Sequence, residues 1–124
     1  VKSHPSSPIR VDDYPSLNLL TTAAPLSAIV GDFDVAYSCN GTSAGVDVYL
    51  AGLPVIIRLD DKDLNLSDLR GWPDVRFVGD STDLVDALQA VADGRVGSPA
   101  PMEFFTLDPG LPRWRRLLAA DRAC

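Results

Sequence analysis

Between residues 34 and 94 the sequence alternates compact apolar runs with stretches of helical rhythm. DVAYSC, from Asp34 to Cys39, is short and apolar, the pattern of a strand covered on both faces. GTSAGVDVYLAG then takes helical spacing from about Thr42 to Ala51, with Gly52 as its C-terminal stop. LPVIIRL, Leu53 to Leu59, is a second buried strand, and the polar DDKDLNLSDLRGWPD after it is a loop with at most one short helical turn. VRFVG, Val75 to Gly79, is a third strand. STDLVDALQAVADG is a helix that Gly94 ends, with Leu84, Val85, Leu88 and Val91 on one face. Strands interleaved with helices pair in parallel through crossovers, so the expected class is α/β with a parallel sheet in three layers.

The flanks are less regular. Val1 to Ser3 has the look of a strand end, and a turn-rich stretch through Pro5, Pro8 and Pro15 leads to LNLLTTA, a candidate short strand. APLSAIVGD is expected to be helical to about Gly31. Beyond Gly94, VGSPAPMEFFTLDPGLP is too rich in proline and glycine for a regular element and reads as a surface linker. PRWRRLLAADR closes the chain as an extra helix, with Pro112 in its first turn. Trp114, Leu117 and Leu118 lie on one side of it and Arg113, Arg115 and Arg116 elsewhere. The expected division is 1–95 for the α/β domain and 96–124 for linker and helix. A chain of 124 residues, 46% of them hydrophobic, suits one core burying about 65% of the unfolded surface.

Several classes of function are disfavoured. No apolar run approaches the roughly 20 residues of a membrane span, and VKSHPSSP lacks the apolar middle of a secretory signal, so a cytoplasmic location is expected. Cys39 and Cys124 have no partner at metal or redox spacing and read as free thiols. A net charge of −6 argues against nucleic acid or an anionic membrane as partner. It leaves a small phosphate ligand open, because a few local cations suffice for one. Asp60, Asp61 and Asp63 are interrupted by Lys62, with no glycine where a calcium loop needs it. They read as a solvated loop, and neither a metal nor a cofactor is expected.

The stretch SCNGTSAG, residues 38–45, admits two readings. It is a strand-to-helix turn in which Thr42 or Ser43 caps the helix, or it is a phosphate cradle. Gly41 permits a tight turn, and Ala44 and Gly45 keep side chains out of the way. The glycine spacing is not that of a Walker loop, and no lysine follows. His4 is the chain's single histidine. It is either a surface residue or, placed between a strand end and a proline turn, a general acid on the same carboxyl edge as Asn40 to Ser43. Lys2, Arg58 and Arg70 are secondary candidates for phosphate contact.

K-x-H-P at Lys2 to Pro5, GTSAGVD at Gly41 to Asp47 and AGLPVI at Ala51 to Ile56 together resemble the C-terminal, nucleotide-binding half of glycosyltransferases with two facing Rossmann-like domains, the GT-B fold. The His-Pro pair and a later Ser/Thr motif are similar to bacterial sialyltransferase-like enzymes. Ser43, Asp47 and Pro54 keep a spacing similar to that in CDP-glycerol glycerophosphotransferases of teichoic acid assembly. NLSDLRGWPDVRFVGDSTDLVDAL and FFTLDPGLPRWRRLL resemble GT-B-like surface carbohydrate biosynthesis proteins. The resemblance implies a Rossmann-like domain whose ligand is a nucleotide-linked sugar or polyol donor. It implies that His4 contacts or protonates the donor phosphate, that Thr42 and Ser43 bind it, and that Asp47 sits near the nucleotide sugar. Lys2, Pro5, Asn40 and Gly41 complete the implied donor site. Asp47 departs from the Glu that many such enzymes use to hold ribose, and a helix residue bonded to the sheet edge is its other reading.

These families take the acceptor, and usually the general base, from an N-terminal domain that the sequence does not contain. The expectation is therefore half of an enzyme, with no turnover by this chain alone. The last helix is expected to pack on a second copy, forming a homodimer, or to be mobile. Two alternatives stand: a half of a non-hydrolysing UDP-GlcNAc 2-epimerase-like enzyme, whose acidic pair is reduced here to Asp47, and a non-catalytic α/β binding module.

Overall fold

The computed structural model describes residues 1–4, 6–97, 99 and 110–120. Its centre is a sheet of three parallel strands, β1 (Ala36–Cys39), β2 (Val55–Arg58) and β3 (Val75–Val78), in the order β1-β2-β3. Ala36 pairs with Val55, and Val55 with Val75, so the strands run in step. The helices are α1 (Leu26–Ile29), α2 (Ala44–Leu50), α3 (Ser81–Ala92) and α4 (Pro112–Ala120), with 3-10 turns at Val11–Asp13 and Val30–Asp32. The chain is thus α/β with a parallel sheet, as its alternation requires.

Alternation along β2 divides the core in two. Val55 and Ile57 face Val46 and Tyr49 of α2, together with Leu69 and Val75. Ile56, fully buried, faces the other way and meets Val78 and Ala87 of α3. One helix therefore packs on each face. Burying a side chain of this size contributes about 1.5–3 kcal/mol, so β2, apolar on both sides, anchors the fold. Between β2 and β3 the expected loop replaces a crossover helix. Asn65 Oδ1 accepts from Ser67 N at 3.1 Å, and Ser67 Oγ accepts from Leu69 N at 3.1 Å, closing two turns that carry Leu69 into the core. Trp72 packs edge-on against Tyr49, ring centroids 5.4 Å apart. Burial, with the Asp74 carboxylate as a second cause, pushes the Tyr49 phenol above its ordinary value.

The helix stops lie where the sequence puts them. Gly52 N donates to Tyr49 O at 3.0 Å and Leu53 N to Val48 O at 3.3 Å, the paired bonds of a Schellman end. Gly94 N to Val91 O and Arg95 N to Ala90 O repeat it after α3. Asp80 Oδ1 accepts from Thr82 N at 2.8 Å and Asp83 N at 2.9 Å, and Asp83 Oδ2 accepts from Gly79 N at 3.2 Å, a reciprocal cap.

Other expectations shift. β1 starts at Ala36 rather than Asp34: Ala36 N donates to Pro54 O, and Pro54 has no N–H with which to extend the ladder. LNLLTTA is not a strand. Its Thr22 forms only an isolated bridge with Lys2, and the Val1 ammonium donates to Leu20 O. With Leu17 and Leu20 exposed, the segment has no second face against which to order. Beyond Ile29, α1 tightens into the 3-10 turn at Val30–Asp32, where β-branched Val30 and Gly31 support a helix poorly. On α3 the small Ala87 sits against the sheet beside Leu84, while Val85 is 62% exposed and Leu88 also faces outward. The expected four-residue apolar face is thus rotated. Pro5, most of the linker, the Leu117 side chain and Cys124 lie outside the described residues. Among the described residues no helix is long and apolar enough to cross a membrane.

Candidate functional site

The turn after β1 is built by Asn40 to Ser43. Gly41 has φ 82°, the left-handed region in which a side chain would be strained. Ser43 caps α2 through its backbone, its carbonyl accepting from Val46 N at 3.0 Å and Asp47 N at 3.1 Å, with no side-chain capping bond. Thr42 Oγ1 accepts from Ala44 N at 3.3 Å. One hydroxyl is thus turned back to its own helix, as the capping reading requires, and the Ser43 hydroxyl is not used for capping.

Asn40 has a role that the sequence did not disclose. Its Nδ2 donates to Leu64 O at 2.6 Å and its Oδ1 accepts from Leu66 N at 3.1 Å. Donor meets carbonyl and acceptor meets N–H, which fixes the amide's orientation. The side chain is a clasp joining the end of β1 to the β2–β3 loop. No local pattern signals a bond across such a separation; only the adjacency of the two strand ends could have suggested it.

Two clefts hold some of the expected site residues. The smaller, about 450 Å³, opens at the carboxyl ends of β1 and β2 and is lined by Cys39, Asn40, Arg58, Asp60, Lys62 and Asp63. Cys39 and Arg58 are the last residues of β1 and β2, and the others come from the two loops that the Asn40 clasp joins. Asp60 Oδ1 accepts from Lys62 N at 3.1 Å, which holds the turn carrying Lys62. Lys62, Asp60 and Asp63 were expected only as a solvated loop. Cys39 is a free, exposed thiol. The larger cleft, about 710 Å³, lies between α1 and the later part of α2. Lys2, Ser27 and Asp47 line it with Leu26, Val30 and Val48.

The expected site residues are therefore divided. Lys2 and Asp47 share the larger cleft, Asn40 lines the smaller, and Gly41, Thr42, Ser43 and His4 line neither. His4 belongs to no strand of the sheet and makes an isolated bridge with Ser7. Its Nδ1 lies 2.6 Å from Ser6 Oγ and accepts from Ser6 N at 3.2 Å. Arg70 Nη1 donates to Asn65 O at 2.7 Å and braces the loop rather than the cleft. Among the described residues no three His, Cys, Asp or Glu side chains gather as a metal site would need. No family model, curated protein or solved structure matches the chain. The reading of function therefore rests on the clefts.

Proposed function

We propose that the chain is the donor-binding half of a cytoplasmic, GT-B-like transferase that moves a sugar or polyol phosphate from a nucleotide-linked donor in cell-surface carbohydrate biosynthesis. The observation that carries this reading is the cleft at the carboxyl ends of β1 and β2. In open parallel sheets that edge is where ligands bind, and a volume of about 450 Å³ lies within the range of small-molecule sites. The lining also has the divided chemistry that a nucleotide-linked donor needs. Arg58 and Lys62 offer cationic donors to phosphate oxygens, Arg58 in a forked geometry. Asp60 and Asp63 offer acceptors to sugar or ribose hydroxyls, and the Asn40 clasp holds the two loops in register.

The mechanism follows the two-lobe logic that the resemblance implies. This half binds and orients the donor phosphate while a facing domain brings the acceptor and the base. Reacting atoms must be held roughly 3 to 3.5 Å apart, so the half alone turns nothing over. Calorimetric titration of CMP, CDP and UDP into the chain and into Arg58→Ala tests the reading. A hydrogen bond to a charged group is worth about 1.5–3 kcal/mol, so Arg58→Ala should weaken binding roughly tenfold or more. The absence of binding at millimolar nucleotide, or an Arg58→Ala chain that binds equally well, refutes it.

A further inference from the structure

We infer that α4 of one molecule docks on the outer face of α3 of a second molecule, and that the exchange of the two helices makes a two-fold dimer. The inference is independent of the proposed donor site. It starts from two surfaces that one molecule leaves open. On α4, Trp114 is 62% and Leu118 68% exposed, and Leu111 continues the same stripe at helical spacing. On α3, Val85, Leu88 and Ala92 form an exposed stripe beside the buried Ala87 line. On the same face of the sheet Tyr37, which pairs with Ile56, is 51% exposed, because α3 covers β2 and β3 and leaves β1 bare.

Charge chooses between possible occupants. The segment 112–120 carries Arg113, Arg115 and Arg116 and no acid. Residues 80–93, which contain α3 and its caps, carry Asp80, Asp83, Asp86 and Asp93 and no base. On α4, Arg113 and Arg115 flank the apolar stripe on either side, and on α3 Asp86 borders the Val85 side as the acid open to a partner, since Asp93 is paired with Arg95 at 2.9 Å. An apolar stripe with a basic rim thus meets an apolar stripe with an acidic rim. Neither an anionic surface nor a basic partner satisfies both at once, whereas a second copy does. A two-fold axis places each α4 on the other molecule's α3, closing the assembly with two identical contacts. Contacts of this size give weak association, so monomer and dimer should interconvert over accessible concentrations.

Sedimentation equilibrium of the full chain, from micromolar to near-millimolar concentration, tests the inference. The expected result is a reversible monomer–dimer equilibrium that weakens with added salt, since the rim charges are exposed. Leu88→Glu on α3 and, separately, Trp114→Ala on α4 should each raise the dissociation constant at least tenfold. Both sites are exposed, so circular dichroism should stay unchanged. Charge exchange gives the sharper arm. Asp86→Arg, and a chain with Arg113→Glu and Arg115→Glu, are each mismatched at both contacts and should stay monomeric alone. Mixed, they match at one contact and restore the native pair at the other, so a heterodimer should form. A monomer at every concentration overturns the inference. So does a dimer indifferent to Leu88→Glu and Asp86→Arg. Protection of Trp114 from quenching at all concentrations in a monomer would mean that α4 docks on its own chain, which also refutes it.

Discussion

Replacing Asn40 with alanine separates the clasp from the phosphate contact that the sequence suggested for the same residue. The substitution removes the 2.6 Å bond to Leu64 O and the 3.1 Å bond from Leu66 N. Each such bond contributes about 0.5–1.5 kcal/mol net. Leu64 and Leu66 are exposed, so water can reach the released carbonyl and N–H, and the sum belongs at the low end, about 1–2 kcal/mol. With a urea slope typical of a small domain, the unfolding midpoint should fall by roughly 0.5–1 M. Asn40→Asp keeps an acceptor for Leu66 N but sets a carboxylate oxygen against Leu64 O, so it should be no more stable than the alanine variant. Amide hydrogen exchange gives the local readout: the Leu66 N–H should lose protection in Asn40→Ala, whereas the Ile57 N–H should follow only the global change. If the Leu66 amide exchanges equally fast in both proteins and the urea midpoint does not move, the clasp does not exist in solution. Loss of nucleotide binding at unchanged stability would restore the contact reading.

Asp80→Ala removes the bonds from Thr82 N and Asp83 N and should cost about 1 kcal/mol, read as a lower melting temperature, with Asp80→Asn recovering most of it. Arg95 and then Gln89 hold the Asp93 carboxyl below its ordinary value. A depressed carboxylate stabilises the fold above its unfolded value, about 3.9, and that contribution is lost as pH falls through the lower folded value. Asp93→Asn should therefore lower the urea midpoint slightly near neutrality and leave no difference at strongly acid pH. Tyr49 works in the opposite sense. Its raised phenol favours the neutral form, so the contribution is complete below about pH 10 and is lost as pH rises through the folded value. Tyr49→Phe should show a shallower alkaline loss of stability by circular dichroism.

The places of the strands and stops of the centre were readable because each has a local cause, although β1, expected to be covered on both faces, is half-exposed, with Tyr37 and Cys39 open to solvent. Val55 to Ile57 is apolar at consecutive positions, which only a strand covered on both sides can use, and Gly52 and Gly94 end helices through their own backbone bonds. The rotation of α3 was not readable, because Leu84, Val85, Leu88 and Val91 satisfy helical spacing as well as the Ala87 line does. How close the helix approaches the sheet decides between them. Arg58 was named as a candidate for the forked contacts that an arginine at the carboxyl edge can make, whereas Lys62 joined it only through the fold of the β2–β3 loop. His4 rested on Val1 to Ser3 continuing the sheet, and a single bridge between Lys2 and Thr22 does not extend it that far.

The in-step parallel register has a kinetic corollary. Each neighbouring pair of strands joins residues about 20 positions apart, so no hairpin can form early and guide the rest. Chain closure must come before either ladder gives anything back, and β2, which takes part in both, has to be in place before its neighbours gain a partner. Doubling the length of one connection would raise the closure term by only about 0.6 kcal/mol. Length is therefore a minor obstacle compared with order. The β1–β2 connection carries its own helix and can prepare its ends, whereas the β2–β3 connection depends on Leu69 and the Asn40 clasp finding partners that the first ladder has already positioned.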